Sequence, residues 1–468
     1  MEIIRSFWTA LKAAVSPLTA FLTGTTLVCC GYASLNSTFA LQLNLSDTPM
    51  FVSGLVLACY YLGSITASLS AYKFINKVGN IRAFSAFTSL LSALVLLHVF
   101  TGNLFLWPFL RFGEGYCIGT INLCLESWLN TRATNKNRGL IMSLYMVTTY
   151  LGASIGQLSL NIPDPSGTLV YILISIIFSI ALIPVSLTAL PAPNIQIFRS
   201  TSVREAFKIS PVGFACCIVS GILVGSFYLL GTIYASSIGM SIKDVSMFMF
   251  FGVFGGLLAQ IPLGRLSDLT DRRHVLFYIC CALGFIVPAA DLLVIKGGWY
   301  LAALTMLLGA CTFTLYPISV SHINDLVTDA QRVHISGMLI LAQSIGLISG
   351  PIIVSAGMSL FGPDFFMVAF FIFPAAFIIF TMNRIWKKPD INYINVTPTA
   401  PMPTAPTHAF TDLATHDTLL DKAKDSLTAS GRSKAPMPGK TFRLMFSYAT
   451  PSQKRGHFLA KKKLCSSI

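Results

Sequence analysis

Arg111, Glu114, Asn122 and Glu126 stand inside a run, residues 104–128, that is otherwise apolar. At 100° per residue all of them fall within about 60° of Arg111 on one helical stripe, which also holds Gly115 and Ile118. From Arg111 to Glu126 the stripe is about 22 Å long at 1.5 Å rise per residue. A charged side chain at the centre of a bilayer costs about 2.5–3.5 kcal/mol on insertion scales. Such a stripe therefore belongs against other helices or a water-filled cavity. Arg111 and Glu114 are three residues apart and can pair directly. The arginine could attract an anionic group or tune the carboxyl beside it. Glu114 could accept a proton, because burial and a neighbouring guanidinium push a carboxyl's proton affinity in opposite directions. A static ion pair is the alternative. Glu126, near the end of the run, is suited to pair with Arg132 or loop arginines, as part of a gate or as a plain ion pair or interface contact.

Further polar side chains interrupt other apolar runs: Asn36, Tyr145, Tyr150, Gln157, Tyr228, Tyr234, Gln260, Tyr316 and Gln343. Buried amides need partners, which marks Asn36, Gln157 and Gln343 as binding or coupling candidates alongside Arg111, Glu114, Asn122 and Tyr145. A tyrosine in such a run is ordinarily an interfacial anchor or packing element. His98 and Asp291 sit near the ends of their runs and are expected to reach the interface. Of eleven cysteines, ten lie within apolar runs and none has CxxC spacing, so no metal or redox motif is visible. No phosphate-binding glycine loop occurs. Neither a cofactor nor catalytic chemistry is expected.

The elements that must position these residues follow from composition. Of 468 residues, 54% are hydrophobic and 11% charged, against roughly 25% charged in soluble chains. That excludes a disordered chain and argues against a soluble enzyme. Twelve runs are long enough to cross a bilayer at about 20 residues each: 18–41, 51–72, 83–101, 104–128, 139–161, 168–190, 211–237, 245–264, 275–295, 299–321, 334–358 and 364–383. Helices are expected, because each satisfies its own backbone in lipid. The N-terminal segment and even-numbered linkers hold fifteen Lys and Arg, from Arg5 to Arg332, and the odd-numbered linkers only Lys243 and Lys296. This asymmetry puts both termini in the cytoplasm.

The chain reads as a cytoplasmic N-terminus (1–17), a six-helix half (18–190), a cytoplasmic linker (191–210), a second six-helix half (211–383) and a tail (384–468). The tail carries 14 of the 32 basic and five of the 18 acidic residues, a net charge of +9. The remaining +5 of the total +14 is spread over the membrane part, so the charge is no nucleic-acid signature. The proline-rich stretch Thr397–Pro406 and the clusters Lys454–Arg455 and Lys461–Lys463 give the tail the composition of a disordered segment. Its chemistry suits anionic lipid or a protein partner.

The halves repeat. At an offset of 194, Leu110 meets Leu304, Gly115 meets Gly309, Cys117 meets Cys311, Ser127 meets Ser321, Arg138 meets Arg332, Gly152 meets Gly346 and Gly156 meets Gly350. The glycine pairs are small-xxx-small faces, which let helices approach closely in lipid.

Two six-helix repeats with cytoplasmic termini resemble the major facilitator superfamily. Gly264–Arg265–Leu266–Ser267–Asp268–Leu269–Thr270–Asp271–Arg272–Arg273 is similar to its signature loop at Gly264, Asp268, Arg272 and Arg273, and departs from it at Leu269 and Asp271. The matching stretch in the first half, Asn76–Lys77–Val78–Gly79–Asn80–Ile81–Arg82, has Asn76 where the family has aspartate, which implies a weaker charged latch there. Lys77, Gly79 and Arg82 are its other members. Arg111, Glu114 and Gly115 fit the superfamily's fourth-span motif, with Glu where Gln is common. Asn137–Arg138–Gly139, Glu126–Ser127–Trp128–Leu129–Asn130, Gly221–Ser226 and Phe313–Pro317 resemble the YcaD-like branch.

The resemblance implies an all-α integral membrane protein of twelve transmembrane helices in the plasma (bacterial inner) membrane. It would act as a secondary transporter of a small solute by alternating access, driven by an ion gradient in which protons are one candidate. Gly156–Gln157 in the fifth span and Gly350–Pro351 in the eleventh leave symport, antiport and uniport open. The other reading is a membrane sensor that signals through its tail.

Overall fold

A computed structural model describes residues 18–101, 105–132, 138–164, 168–187, 207–294, 298–327 and 329–387. These form twelve long helices and no strands. They are α1 (Thr19–Leu45), α2 (Met50–Val78), α3 (Asn80–Phe100), α4 (Trp107–Arg132), α5 (Arg138–Gln157), α6 (Thr168–Ser186), α7 (Pro211–Ser237), α8 (Ile242–Leu269), α9 (Arg272–Val294), α10 (Gly298–Asn324), α11 (Asp329–Phe361) and α12 (Phe365–Lys387). Among the described residues, nine of these helices contain a stretch of 18 residues apolar enough to cross a membrane. Residues 1–17, 191–206 and 388–468 lie outside the described residues, as do the side chains of Arg132, Arg138, Asp291 and Arg332.

The helices outrun the apolar spans because hydropathy marks only the lipid-immersed middle. Helix α2 continues through Lys73 and Lys77 to Val78, and α8 through Arg265 and Asp268 to Leu269. The two signature stretches, expected as loops, are therefore mostly helical. The first is reduced to Gly79, whose φ of 90° both ends α2 and starts α3. A residue with a Cβ would be strained there. The second is reduced to Thr270 and Asp271.

The halves share one pairing scheme. In the first, α1 packs on α5 and α6, α2 on α4, and α3 on α4 and α6. In the second, α7 packs on α11 and α12, α8 on α10, and α9 on α10 and α12. Contact between halves runs through α2 with α11, α5 with α8, and α1 with α7. The repeated glycines seat these pairs. A Cβ on Gly152 or Gly156 would strike the α1 backbone at Thr26 or Cys30, and one on Gly346 or Gly350 the α7 backbone at Ile218 or Ile222. Gly115 on Tyr60 and Gly309 on Gly252 do the same for α4 on α2 and α10 on α8. One pairing departs from the symmetry: α7 packs closely on α10, whereas α1 and α4 touch at few points.

Candidate functional site

Between α1 and α4, where the helices stand apart, a charged cluster fills the space. Arg111 and Glu114 are both 0% exposed. Arg111 Nη1 donates to Glu114 Oε2 at 2.8 Å, and Nη2 donates to Asn36 Oδ1 of α1. The guanidinium carbon lies 5.1 Å from the ring centres of both Phe39 and Tyr60, within cation–π range. Glu114 Oε1 is 2.7 Å from His98 Nε2.

His98 corrects the sequence expectation. It lies near the end of α3 but is buried, not at the interface. Its ring stacks on Tyr171 of α6 at 5.7 Å and packs on Phe39 at 4.8 Å. Tyr171 donates to Gln42 Oε1 at 2.5 Å. An apolar run gives no indication of which face of α3 meets α4, so sequence position alone could not place this ring. The nearest available signal was the histidine itself, a rare residue type in such a run.

From Arg111 a row of phenols crosses to the second half. Tyr60 stacks on Tyr32 at 5.2 Å and meets Tyr61 edge-on at 5.2 Å. The Tyr32 phenol lies beside those of Tyr60 and Tyr61 and beside Asn36. Tyr32 is 6.3 Å from Tyr228 of α7, which is 5.3 Å from Phe313 of α10. Phe313 meets Tyr150 of α5 at 5.9 Å, and Gln260 of α8 donates to the Tyr150 hydroxyl at 3.0 Å. Tyr32 and Tyr228 are half-buried although they lie mid-helix between the halves. Of the tyrosines in this row, sequence reading singled out Tyr150 and Tyr228 but not Tyr32, Tyr60 or Tyr61.

The other candidates distribute around this row. Asn122 is half-buried on α4. Tyr145 donates to Glu126 Oε1 at 3.2 Å, so Glu126 joins α4 to α5 within the first half. Gln157 accepts from the Ser37 hydroxyl, and its carbonyl accepts from Ser246 Oγ of α8 at 3.0 Å. Gln343 is fully buried on α11, where its backbone meets Gly221 of α7.

At the signature stretches, Arg272 is bound on three sides: Asp325 at 2.6 Å, Asp268 at 2.8 Å and Ser267 Oγ at 2.6 Å. Arg273 pairs with Asp271 at 2.6 Å. Gly264 has open space around it. In the first half, Lys77 and Arg82 are exposed, and the buried residue is Asn80, which donates to Ser127 Oγ of α4 at 3.1 Å.

Two cavities approach from opposite ends. One, of about 690 Å³, opens at the odd-linker end and is lined by Thr38, Gln42, Asn161, Asp164, Tyr171 and Lys243. Beside it the halves are tied together. Asn44 Nδ2 donates to Ser236 Oγ (3.1 Å), Ser237 Oγ donates to Asn44 Oδ1 (2.9 Å), and Asn161 Nδ2 donates to Ser246 Oγ (2.7 Å). The other cavity, of about 200 Å³, opens at the even-linker end and is lined by Ser143, Gln260, Asp268, Arg272, Thr314 and Ser321 among others.

The family profile described as Major Facilitator Superfamily matches residues 21–268 and 214–416. The chain belongs to the Major Facilitator Superfamily. This superfamily member is 28% identical over 388 residues to an uncharacterized MFS-type transporter of Yersinia pestis (strain Pestoides F), covering 81% of this chain and 98% of the relative. It is also 28% identical over 345 residues to the uncharacterized MFS-type transporter YcaD of Salmonella newport (strain SL254), covering 72% and 87%. In fold it is similar to the nucleoside transporter NupG, with a TM-score of 0.62 at 13% identity over 80% of this chain and 100% of that one. It is likewise similar to a bacterial homolog of the human lysosomal transporter Spinster in an inward-facing, unoccupied conformation, with a TM-score of 0.64 at 12% identity over 79% and 97%. The superfamily member is thus an integral membrane transporter.

Proposed function

We propose that this chain is a secondary transporter that moves a small solute by alternating access around the Arg111–phenol site, driven by an ion gradient. The observation that carries the reading is a charged site fully removed from solvent in a molecule with one cavity opening at each end. Rocking of the halves, 18–190 against 211–383, would open one cavity to the site while closing the other. The hydrogen bonds from Asn44 and Asn161 are the contacts that must break for the odd-linker end to open. The even linkers, with their excess of Lys and Arg, face the cytoplasm of the plasma (bacterial inner) membrane, and the 384–468 tail lies against anionic lipid or a protein partner.

Accessibility tests this. A disulfide between Asn44→Cys and Ser236→Cys should raise the labelling of Ser321→Cys by an impermeant thiol reagent and lower that of Leu41→Cys. Labelling at both positions that ignores the cross-link would defeat the reading and favour a static sensor. Cys29, Cys30, Cys59 and Cys281, which are partly exposed, should be replaced first.

A further inference from the structure

The polar atoms left over at the site define what it can hold. Glu114 spends both oxygens on Arg111 and His98, and Asn36 spends its oxygen on Arg111. Arg111 Nε, Asn36 Nδ2 and His98 Nδ1 are buried and make no hydrogen bond, with the Tyr32 phenol beside Asn36. The first two are donors on residues already joined to each other, and a carboxylate has the lone pairs to accept from both. Next to Asn36 the surroundings are aromatic: Tyr32, Tyr60 and Tyr61, then Tyr228 and Phe313 of the second half. Such surroundings suit a flat apolar body. A cationic solute would face the Arg111 guanidinium with no free carboxylate to offset it.

Charge adds a second condition. With His98 neutral, Arg111 and Glu114 neutralise each other, and entry of a carboxylate would then leave one uncompensated negative charge in a buried site, which is strongly unfavourable. The groups facing Glu114 are Arg111 and Cys117 on its own helix, His98 from α3 and Tyr171 from α6. Facing Arg111 are Tyr60 and Tyr61 from α2 and Tyr32 from α1. Among these, the His98–Glu114 pair is where one added proton both restores neutrality and loosens the hold of Glu114 on Arg111. The pair also lies under the odd-linker cavity, whose wall residue Tyr171 stacks on His98.

We propose that the site takes a small monocarboxylate with a planar apolar body, and that it binds together with one proton lodged on the His98–Glu114 pair. The proton comes from solvent, Arg111 turns from Glu114 to the solute's carboxylate, and the net charge of the site does not change. This rests on the transporter reading above and names its solute class and coupling ion.

The test is calorimetric titration of the purified full-length chain with benzoate, benzamide and benzylammonium, in buffers of different ionisation enthalpy. Benzoate should bind with uptake of one proton, and its affinity should fall about tenfold per pH unit on the alkaline side. Benzamide and benzylammonium should bind at least tenfold more weakly. Arg111→Lys should weaken benzoate at least tenfold, since a point charge cannot reproduce the planar fork. Glu114→Gln should bind benzoate without proton uptake and without pH dependence. The wild-type titration alone decides the coupling should a variant not fold. Benzoate binding without proton uptake overturns the coupling, and benzamide binding as tightly as benzoate overturns the carboxylate. No benzoate binding, in a protein whose cross-link still shifts labelling, overturns the solute class while leaving the transporter reading intact.

Discussion

At position 111 the first half places an arginine held by Glu114, Asn36 and two aromatic faces. At the equivalent position of the second half, 194 residues on, stands Thr305, whose hydroxyl returns to its own helix at Leu301 O (2.7 Å). Glu114 is matched by the buried Leu308. At the linker ends the contrast reverses. The second half fastens α9 to the end of α10 with the Arg272–Asp325 ion pair, while the first fastens α3 to α4 with the neutral Asn80–Ser127 bond. Both halves use the same helix pairing, so the frame does not dictate where charge goes. Chemistry sits toward the odd-linker end of one half and fastening at the even-linker end of the other. The close α7–α10 packing and the sparse α1–α4 contact follow, because a guanidinium, a carboxylate and an imidazole need room that two apolar faces do not.

The largest expected effect tests the central contrast. Arg111→Ala strands a buried carboxylate and should destabilise the protein by about 3–5 kcal/mol, whereas Thr305→Ala should cost less than about 1 kcal/mol. Thermal unfolding in detergent measures both, and equal shifts would break the comparison. Next is the fastening. Arg272→Ala leaves Asp325 without its guanidinium and should cost about 3 kcal/mol, against about 1 kcal/mol for Asn80→Ala. The same unfolding assay would refute the asymmetry were Asn80→Ala the worse of the two.

The frame itself should respond symmetrically. Gly152→Val and Gly346→Val each push a side chain into a facing backbone, and each should cost about 2 kcal/mol. A large inequality would mean that the glycine pairs are not equivalent. The smallest effect is at the inter-half ties. Ser237→Ala removes one hydrogen bond of about 1 kcal/mol and should raise the labelling rate of Leu41→Cys about fivefold.

The frame was largely legible from the chain. Lipid forces each span to be a long apolar helix, so composition and length revealed α1–α12, and the glycine spacings revealed the faces on which helices pack closely, though not which helices they meet. Arg111 and Glu114 were legible because charge is rare in such spans and their spacing brings them together. His98, Tyr171 and the phenols at Tyr32, Tyr60 and Tyr61 were not. Their roles depend on how each helix is rotated about its axis, and a helix that is apolar on every side carries no stripe to reveal that rotation. The ends of α2 and α8 were also missed, because helix persists past the point where hydropathy stops reporting it.

Gly79 leaves α2 and α3 no slack. With a single residue between them, the two helices form one bent lever whose elbow lies at the even-linker end. One arm carries Tyr60 and Tyr61 and packs on α11 of the opposite half. The other is about 31 Å long at 1.5 Å rise per residue and ends near His98. Under the proposed alternating access, a tilt of the first arm would be passed through Gly79 to the second, and the histidine beside Glu114 would move with the closure of the halves.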